Sequence, residues 1–334
     1  MNKPNLFEIG TKELAQDAFL TWLISYADNQ YIEKYKEVNT LAKDFIKMMV
    51  GNNNLNIEKV YCWRQWEKID ISVTVNDKYF IIIEDKTGTN QHGNQLANYK
   101  VKAQDHCNKN NLELVCVFLK TRDDSTYTIN SVEREGYKYI SRNDLLSLFE
   151  KHSHIKNDIL LDYIERLKNI EAKTNSYKTD LLSIKDSYDA CCGFYKELEK
   201  RISKRLKDKS MENALCNWEQ VNNPGGMFLD FWFYPANYHK SNMYFQIENY
   251  FDKRNNIRVL IKTESKDRNE INKMLETAYK IGKKYNIDIE KVSRLKIHTW
   301  TPIAYIKNDI FSGTYEECLD SIEHILDMFD DFSV

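Results

Sequence analysis

Apolar and polar positions alternate along Ile69-Asp70-Ile71-Ser72-Val73-Thr74-Val75. Ile69, Ile71, Val73 and Val75 share one face, and Asp70, Ser72 and Thr74 share the other, the pattern of a half-buried strand. After the polar pair Asn76-Asp77 comes Tyr79-Phe80-Ile81-Ile82-Ile83, apolar throughout, which ends in Glu84-Asp85-Lys86. A continuous run of this kind suits a central strand covered on both faces. The two-residue turn makes the pair a hairpin.

The flanking patterns are mostly helical. Residues 11–28 predict a helix capped by Thr11 after Gly10. Ala15, Ala18, Phe19, Trp22 and Tyr26 line one face, while Glu13 and Asp17 share another with Leu20 and Ile24, so the helix is apolar most of the way round. Residues 31–50 predict a second helix through Leu41, Phe45, Ile46, Met49 and Val50, ended by Gly51-Asn52-Asn53-Asn54. Residues 57–66 predict a strand leading to Asp70. Beyond the loop Thr87-Gly88-Thr89-Asn90, a polar helix contains Gln95-Leu96-Ala97-Asn98-Tyr99. Leu112–Leu119 is a further buried strand, Tyr137–Ile140 a short last one, and 142–152 a helix carrying Leu145, Leu146, Leu148 and Phe149. The order helix, three strands, helix, strand is a mixed α/β core.

The rest divides in two. Residues 156–209 read as helical with few breaks, one stripe running through Ile159, Leu160, Tyr163, Ile164 and Leu167 and another through Leu181, Leu182, Tyr188, Leu198, Ile202 and Leu206. From about 211 the composition shifts. Asn222-Asn223-Pro224-Gly225-Gly226 makes a turn before three aromatic-rich strands, at 227–234, 243–250 and 257–263. A helix at 267–286, a strand near 295–306 and a helix at 315–330 complete an α+β unit. The predicted domains are therefore a core at 1–155, a helical connector at 156–210 and a C-terminal α+β domain at 211–334. The last carries no chemical motif and is suited to recognising substrate, sensing a small molecule or pairing subunits.

The chemistry gathers where the buried run ends. Alternation puts Glu84 and Lys86 on one face and Asp85 on the other, and Asp70 lies beside Glu84 on the neighbouring strand if the hairpin register allows. Each feature alone has a plain explanation: Asp70 on a wet strand face, Glu84-Asp85-Lys86 as a strand exit. Together, two carboxylates and an amine converge at the end of an apolar strand. Burying them is costly unless they are paired or bind a cation, and hard oxygen donors suit Mg²⁺ or Mn²⁺. Gln95 and Tyr99, four apart, lie on one helical face near these groups, as an amide and a phenol suited to a phosphate or nucleotide.

Asp70, then Glu84-x-Lys86 closing a hydrophobic strand, then Gln95-x-x-x-Tyr99 on the next helix, resembles the PD-(D/E)XK nuclease superfamily, and the trailing Gln and Tyr resemble its RecB-like branch. The likeness covers roughly residues 8–120. Ile69 stands where the motif's name has Pro, a position that varies in the superfamily. The resemblance implies a restriction-endonuclease-like core and a metal-dependent phosphodiesterase acting on nucleic acid, DNA in preference to RNA. Asp70 and Glu84 would hold Mg²⁺, with Mn²⁺ able to substitute and the Asp85 backbone carbonyl as a further ligand. An acid on the first helix completes the family's site. Glu13 is the match, with Asp17 and Glu8 as alternatives, and a charge favourable to the helix N-terminus is the other reading of Glu13. Lys86 would position the attacking water and stabilise the phosphate, and Gln95 and Tyr99 would hold the substrate strand. DNA processing, restriction or phage defence is the implied setting. A binding or sensor protein that keeps the fold without turnover is the alternative, opposed by the intact Asp70, Glu84 and Lys86.

Composition modifies this picture. The net charge is −2, and residues 1–150 carry 19 Lys and Arg against 21 Asp and Glu. A dedicated non-specific nucleic-acid binder is more basic, so contact must use local patches. Two are visible. Trp63, Arg64 and Trp66 could stack and pair with a nucleic acid, or simply pack. The run Lys196, Lys200, Arg201, Lys204, Arg205, Lys207 and Lys209 is by default a solvated face, with phosphate contact the alternative. The seven cysteines, Cys62, Cys107, Cys116, Cys191, Cys192, Cys216 and Cys318, include no C-x-x-C. They are expected as reduced cytosolic thiols, against zinc and against an iron–sulfur cluster. His152 and His154 are expected at the surface. No signal peptide or membrane span is predicted, so the protein is expected in the cytoplasm, with the C-terminal domain available for a homo-oligomer or partner.

Overall fold

A computed structural model describes residues 4–88, 94–223, 226–251, 256–307 and 309–332. It divides into two compact units, Met1–Asp123 with Tyr127–Glu171, and Asp124–Thr126 with Ala172–Val334. Among the described residues no helix is long and apolar enough to cross a membrane.

The first unit begins with α1 (Leu6–Ile9), α2 (Glu13–Ser25) and α3 (Ile32–Val50), then β1 (Val60–Trp66), β2 (Ile69–Val75) and β3 (Tyr79–Lys86). Next come α4 (Gln95–Asn110), β4 (Glu113–Lys120), α5 (Thr126–Arg134), β5 (Lys138–Ser141), α6 (Arg142–Lys151) and α7 (Asp158–Thr174). The strands form one five-stranded sheet in the order β1-β2-β3-β4-β5. β2 is antiparallel to both β1 and β3, while β4 is parallel to β3 and β5 to β4. Thr89 and Asn90 of the expected loop lie outside the described residues.

Tight turns set the register. Asn76 and Asp77 both have positive φ, 54° and 49°, as a type I′ turn requires and as these residue types tolerate, but the expected two-residue connection is corrected to three residues, Asn76 to Lys78, because Val75 pairs with Tyr79. Gly51, with φ 77°, ends α3, where a left-handed residue without Cβ is favoured. Ser141 and Asp144 form a capping box on α6.

Helices cover the sheet on both faces. Ile71, Val73, Val75, Ile81, Ile83, Val117 and Leu119 pack with side chains of α2, α3, α6 and α7. Phe80, Ile82 and Phe118 pack on the other face with Leu96, Ala103 and Cys107 of α4 and Val132 of α5. The half-buried reading of β2 is therefore corrected: Ser72 and Thr74 are buried, because α4 and α5 cover the face expected to be wet. Ile69 joins Phe80 and Ile82 rather than Ile71.

Other expectations shift at their edges. α2 starts at Glu13, and its cap position is Lys12, with no side-chain cap bond; Thr11 does not cap it. Ala18 is exposed, and the buried face runs through Gln16, Asp17, Leu20 and Leu23. β1 begins at Val60. α5 was not expected, because Thr126, Tyr127, Thr128, Ile129 and Val132 favour strands while tertiary packing makes the helix. His152 is buried rather than at the surface, its Nε2 3.0 Å from Asp44 Oδ2; His154 is exposed.

The second unit comprises α8 (Ser183–Asp186), α9 (Tyr188–Asp208), β6 (Leu215–Asn223), β7 (Gly226–Tyr234), α10 (Tyr238–Ser241), β8 (Tyr244–Tyr250) and β9 (Asn256–Thr263). α11 (Arg268–Tyr285), β10 (Ile289–Lys291), β11 (Thr301–Ile306) and α12 (Tyr315–Asp330) follow. Its sheet is six-stranded and antiparallel, ordered β10-β11-β9-β8-β7-β6. Phe231, Phe233, Phe245, Ile247 and Ile261 point from one face into a core with α9, α11 and α12. β6 and β10 were not expected. The strand placed near 295–306 begins only at Thr301. Pro224 and Gly225 of the predicted turn lie outside the described residues.

Candidate active site

The antiparallel register of β2 and β3 pairs Ile71 with Ile83, so the next position outward sets Asp70 against Glu84. The Asp85 backbone N–H donates to Asp70 Oδ2 at 3.0 Å, which fixes the carboxylate across the hairpin. Glu84 is 1% exposed. Its Oε1 meets Lys86 Nζ at 2.6 Å and receives Gln95 Nε2 at 2.7 Å. Gln95 also donates to Tyr99 Oη at 3.0 Å. Gln95 is the first residue of α4 and Tyr99 lies one turn later on the same face. The five positions Asp70, Glu84, Lys86, Gln95 and Tyr99 are thus one connected group.

Its electrostatics follow from burial. Glu84 is pushed up to about 7, first by burial and then by the Asp70 charge, with Lys86 opposing. Burial works against the Lys86 ammonium, but its bond to Glu84 and the charges of Asp70 and Glu13 outweigh that, and its pKa lies above the usual lysine value. Glu84 Oε2 is buried without a hydrogen-bond partner. A buried carboxylate oxygen left unpaired carries a desolvation cost of about 1–3 kcal/mol or more.

The α2 face holds a second acidic pair. Asp85 is fully buried and accepts from Gln16 Nε2 at 2.6 Å. Burial and the neighbouring Asp17 charge raise its pKa well above the ordinary value. Asp17 is itself pushed up to about 6, by burial and then by Asp70. Asp17 Oδ1 and Asp85 Oδ2 meet no donor; a proton shared between the two carboxyls satisfies both. Arg64 lies 3.9 Å from Asp17 Oδ2. Glu13 Oε1 accepts the Thr87 N–H at 3.3 Å, next to Lys86. Glu8 is exposed and takes a bond from Asn169 at 3.4 Å, so among the acids of the N-terminal helices Glu13 and Asp17 approach the group and Glu8 does not.

Sequence reasoning missed Gln16 and Lys120. Lys120 is 3% exposed and stands opposite Lys86 in the β3–β4 register. The signal was present, since Lys120 closes its apolar run as Lys86 closes the previous one. Gln16 gave none, because only the packing of α2 shows what an amide in its first turns meets.

The two surface patches separate. Trp63 and Tyr61 are exposed on β1, with ring centroids 6.2 Å apart, while Trp66 packs edge-on against Phe80 and His106. The basic run on α9 is not simply a solvated face. Arg201 pairs with Asp320 and Glu323, and Arg205 and Lys209 pair with Asp327 and Asp330 of α12. Those three charges hold two helices together, while Lys196, Lys200, Lys204 and Lys207 of the same run are exposed.

A mixed sheet flanked by helices, with an acid–acid–lysine group at the mouth of its central hairpin, defines the restriction-endonuclease-like class. A sequence model of the PD-(D/E)XK nuclease superfamily matches residues 4–179, and the chain belongs to that superfamily. No curated protein and no solved structure matches the chain.

Proposed function

We propose that the protein is a divalent-metal-dependent nuclease that hydrolyses phosphodiester bonds, in DNA in preference to RNA. The observation that carries this reading is the meeting of Asp70, Glu84 and Lys86 at the end of a buried strand, with Glu84 Oε2 unpartnered. Such an oxygen fits a hard cation. Among the described residues no group of three or more His, Cys, Asp or Glu side chains is placed to hold a metal ion. Mg²⁺ needs only one or two protein carboxylates, because waters and substrate phosphates fill its other positions. Asp70 and Glu84 would hold Mg²⁺ or Mn²⁺, with the Asp85 carbonyl and Glu13 as further donors. Bound there, the ion would relieve charge on the scissile phosphate and make water more acidic.

The chain's own groups do the rest. Lys86, held by Glu84, places an ammonium where it can orient water and offset charge growing on the phosphate. Gln95 fixes the Glu84 carboxylate, and its second bond leaves the Tyr99 phenol O–H free in direction to donate to the substrate strand. The linked Gln95 and Tyr99 support membership of the RecB-like branch. The preference for DNA and a setting in restriction or phage defence are supported by the family likeness alone. Action in the cytoplasm is supported by the seven free cysteines.

The test is incubation of the protein and its Lys86→Ala variant with linear, circular and single-stranded nucleic acids in Mg²⁺, Mn²⁺ or EDTA. Metal-dependent cutting that the variant lacks is the expected result. No cutting of any substrate by the wild-type chain would favour a fold retained for binding.

A further inference from the structure

We infer that the second unit carries a binding site for a planar organic cation, a guanidinium group, in the cavity on the sheet face away from its helices. This inference is independent of the nuclease reading. The cavity has a volume of about 620 Å³, within the range of small-molecule sites and far larger than a metal ion needs. Its position follows from strand alternation. Phe231 and Phe233 enter the helix-covered core, so Asp230, Trp232 and Tyr234 of β7 face the other way, beside Tyr244 and Gln246 of β8.

The walls are aromatic. Trp232, Tyr234 and Tyr244 line it, joined by Trp300, which is 59% exposed. Tyr234 and Tyr244 stack at 4.5 Å, with Trp232 edge-on to Tyr234 at 5.1 Å. Indole and phenol faces attract cations, guanidinium above all because it is flat and weakly hydrated.

The floor is acidic and incompletely paired. Asp230 is 6% exposed; its Oδ2 accepts from Gln246 Nε2 at 3.1 Å, and its Oδ1 has no hydrogen-bond partner. One ammonium, Lys262, also lines the cavity, and it is paired with Glu248 Oε1 at 3.2 Å. Glu248 takes a further bond from the Tyr250 hydroxyl at 2.9 Å. Glu219 and Glu264 stand exposed at the rim. The carboxyl groups left for a ligand are therefore Glu219 and Glu264, both exposed, and Asp230 beneath them. An anion is repelled, and a purely apolar ligand would leave Asp230 Oδ1 unpaired. A guanidinium meets both needs, with its edge on carboxylate oxygens and its face on aromatic rings. Burial, and then the Glu219 charge, push the Asp230 carboxyl up to about 8, against Lys262. At neutral pH it holds a proton, which an arriving cation displaces.

Calorimetric titration of the full chain tests this with three probes: agmatine, N-acetyl-arginine amide, and the neutral isostere N-acetyl-citrulline amide. Both cations should bind, the citrulline compound at least about tenfold more weakly, and the heat should vary with the buffer's ionisation enthalpy as a proton leaves. Tighter agmatine binding marks a free small molecule as the source of the group, and tighter arginine-amide binding marks an arginine side chain; either supports the site. Trp300→Ala and Glu219→Gln, both exposed and so harmless to the fold, should each weaken binding about tenfold at unchanged Tm. No heat from either cation up to about 10 mM, equal binding of citrulline, or unchanged affinity in both variants would overturn the inference.

Discussion

Gln95 Nε2 lies 2.7 Å from Glu84 Oε1, so the first residue of α4 holds the carboxylate at the end of β3. This gives Gln95 a role beyond the substrate contact that its place in the motif suggests. Groups that orient a ligand carboxylate are worth about 10–100-fold in metal affinity or activity. Gln95→Ala should therefore weaken Mn²⁺ binding by about tenfold or more in calorimetry and slow cleavage in step. If Gln95 serves only the substrate, KM will rise while Mn²⁺ affinity stays put.

Asp70→Asn separates charge from geometry. The amide oxygen can still accept the Asp85 N–H, now at 3.0 Å from Asp70 Oδ2. The lost charge relieves Glu84, Asp17 and Asp85, whose pKa values Asp70 raises. Cleavage should fall at least about a hundredfold, while Tm stays level or rises by about 2–4 °C. A variant cutting at the wild-type rate removes Asp70 from the site.

Tyr99→Phe deletes only the hydroxyl that accepts from Gln95 at 3.0 Å. The Gln95 bond to Glu84 remains, so Mn²⁺ affinity should hold while cleavage weakens about tenfold, mainly through KM. Identical kinetics across DNA lengths and end types would take Tyr99 out of substrate handling.

How much of this was legible depended on how local each cause is. The β2–β3 hairpin could be read because alternation, a polar Asn-Asp turn and an apolar run all point to strand, turn and strand. The register itself was not legible: a two-residue Asn76-Asp77 loop would pair Val75 with Lys78 and set Asp70 opposite Ile83, whereas Val75 pairs with Tyr79, and only that one-residue shift puts Asp70 beside Glu84. The burial of Ser72 and Thr74 was not legible, because it depends on α4 and α5 packing on their face. α5 itself went unseen, since its residues prefer strands. The salt bridges of Arg201 and Arg205 needed the position of α12, more than a hundred residues later in the chain. Asp17 was legible only as an alternative to Glu13, and its pairing with Asp85 was not legible, because it depends on how α2 packs on the sheet.

Gly193→Ala tests packing within α9. Alanine gains about 1 kcal/mol over glycine in a helix interior, so propensity predicts stabilisation. The added Cβ would lie 2.0 Å from the Thr174 carbonyl oxygen and 2.8 Å from its methyl carbon. Backbone oxygen cannot swing aside as a side-chain end can. Overpacking of this kind costs about 1–3 kcal/mol or more, and should win. A lower urea midpoint at unchanged slope is expected; a higher one would mean α9 shifts freely against residue 174.

Asp230 gives a pH dependence with a definite sign. Its carboxyl ionises near 8 in the folded chain, against 3.8 as the ordinary value. Between those values the folded state holds more protons than the unfolded state, so stability falls as pH rises through that window and levels off above it. Asp230→Asn keeps an oxygen for Gln246 but removes the titration. Each factor of ten in proton affinity corresponds to about 1.4 kcal/mol, so even part of the shift makes the variant more stable than wild type by about 2 kcal/mol at high pH. Urea midpoints of both proteins should therefore lie close together near pH 4 and separate steadily toward pH 9, the variant above. A gap that does not change with pH would place the Asp230 proton equilibrium elsewhere and leave only the loss or gain of a hydrogen bond.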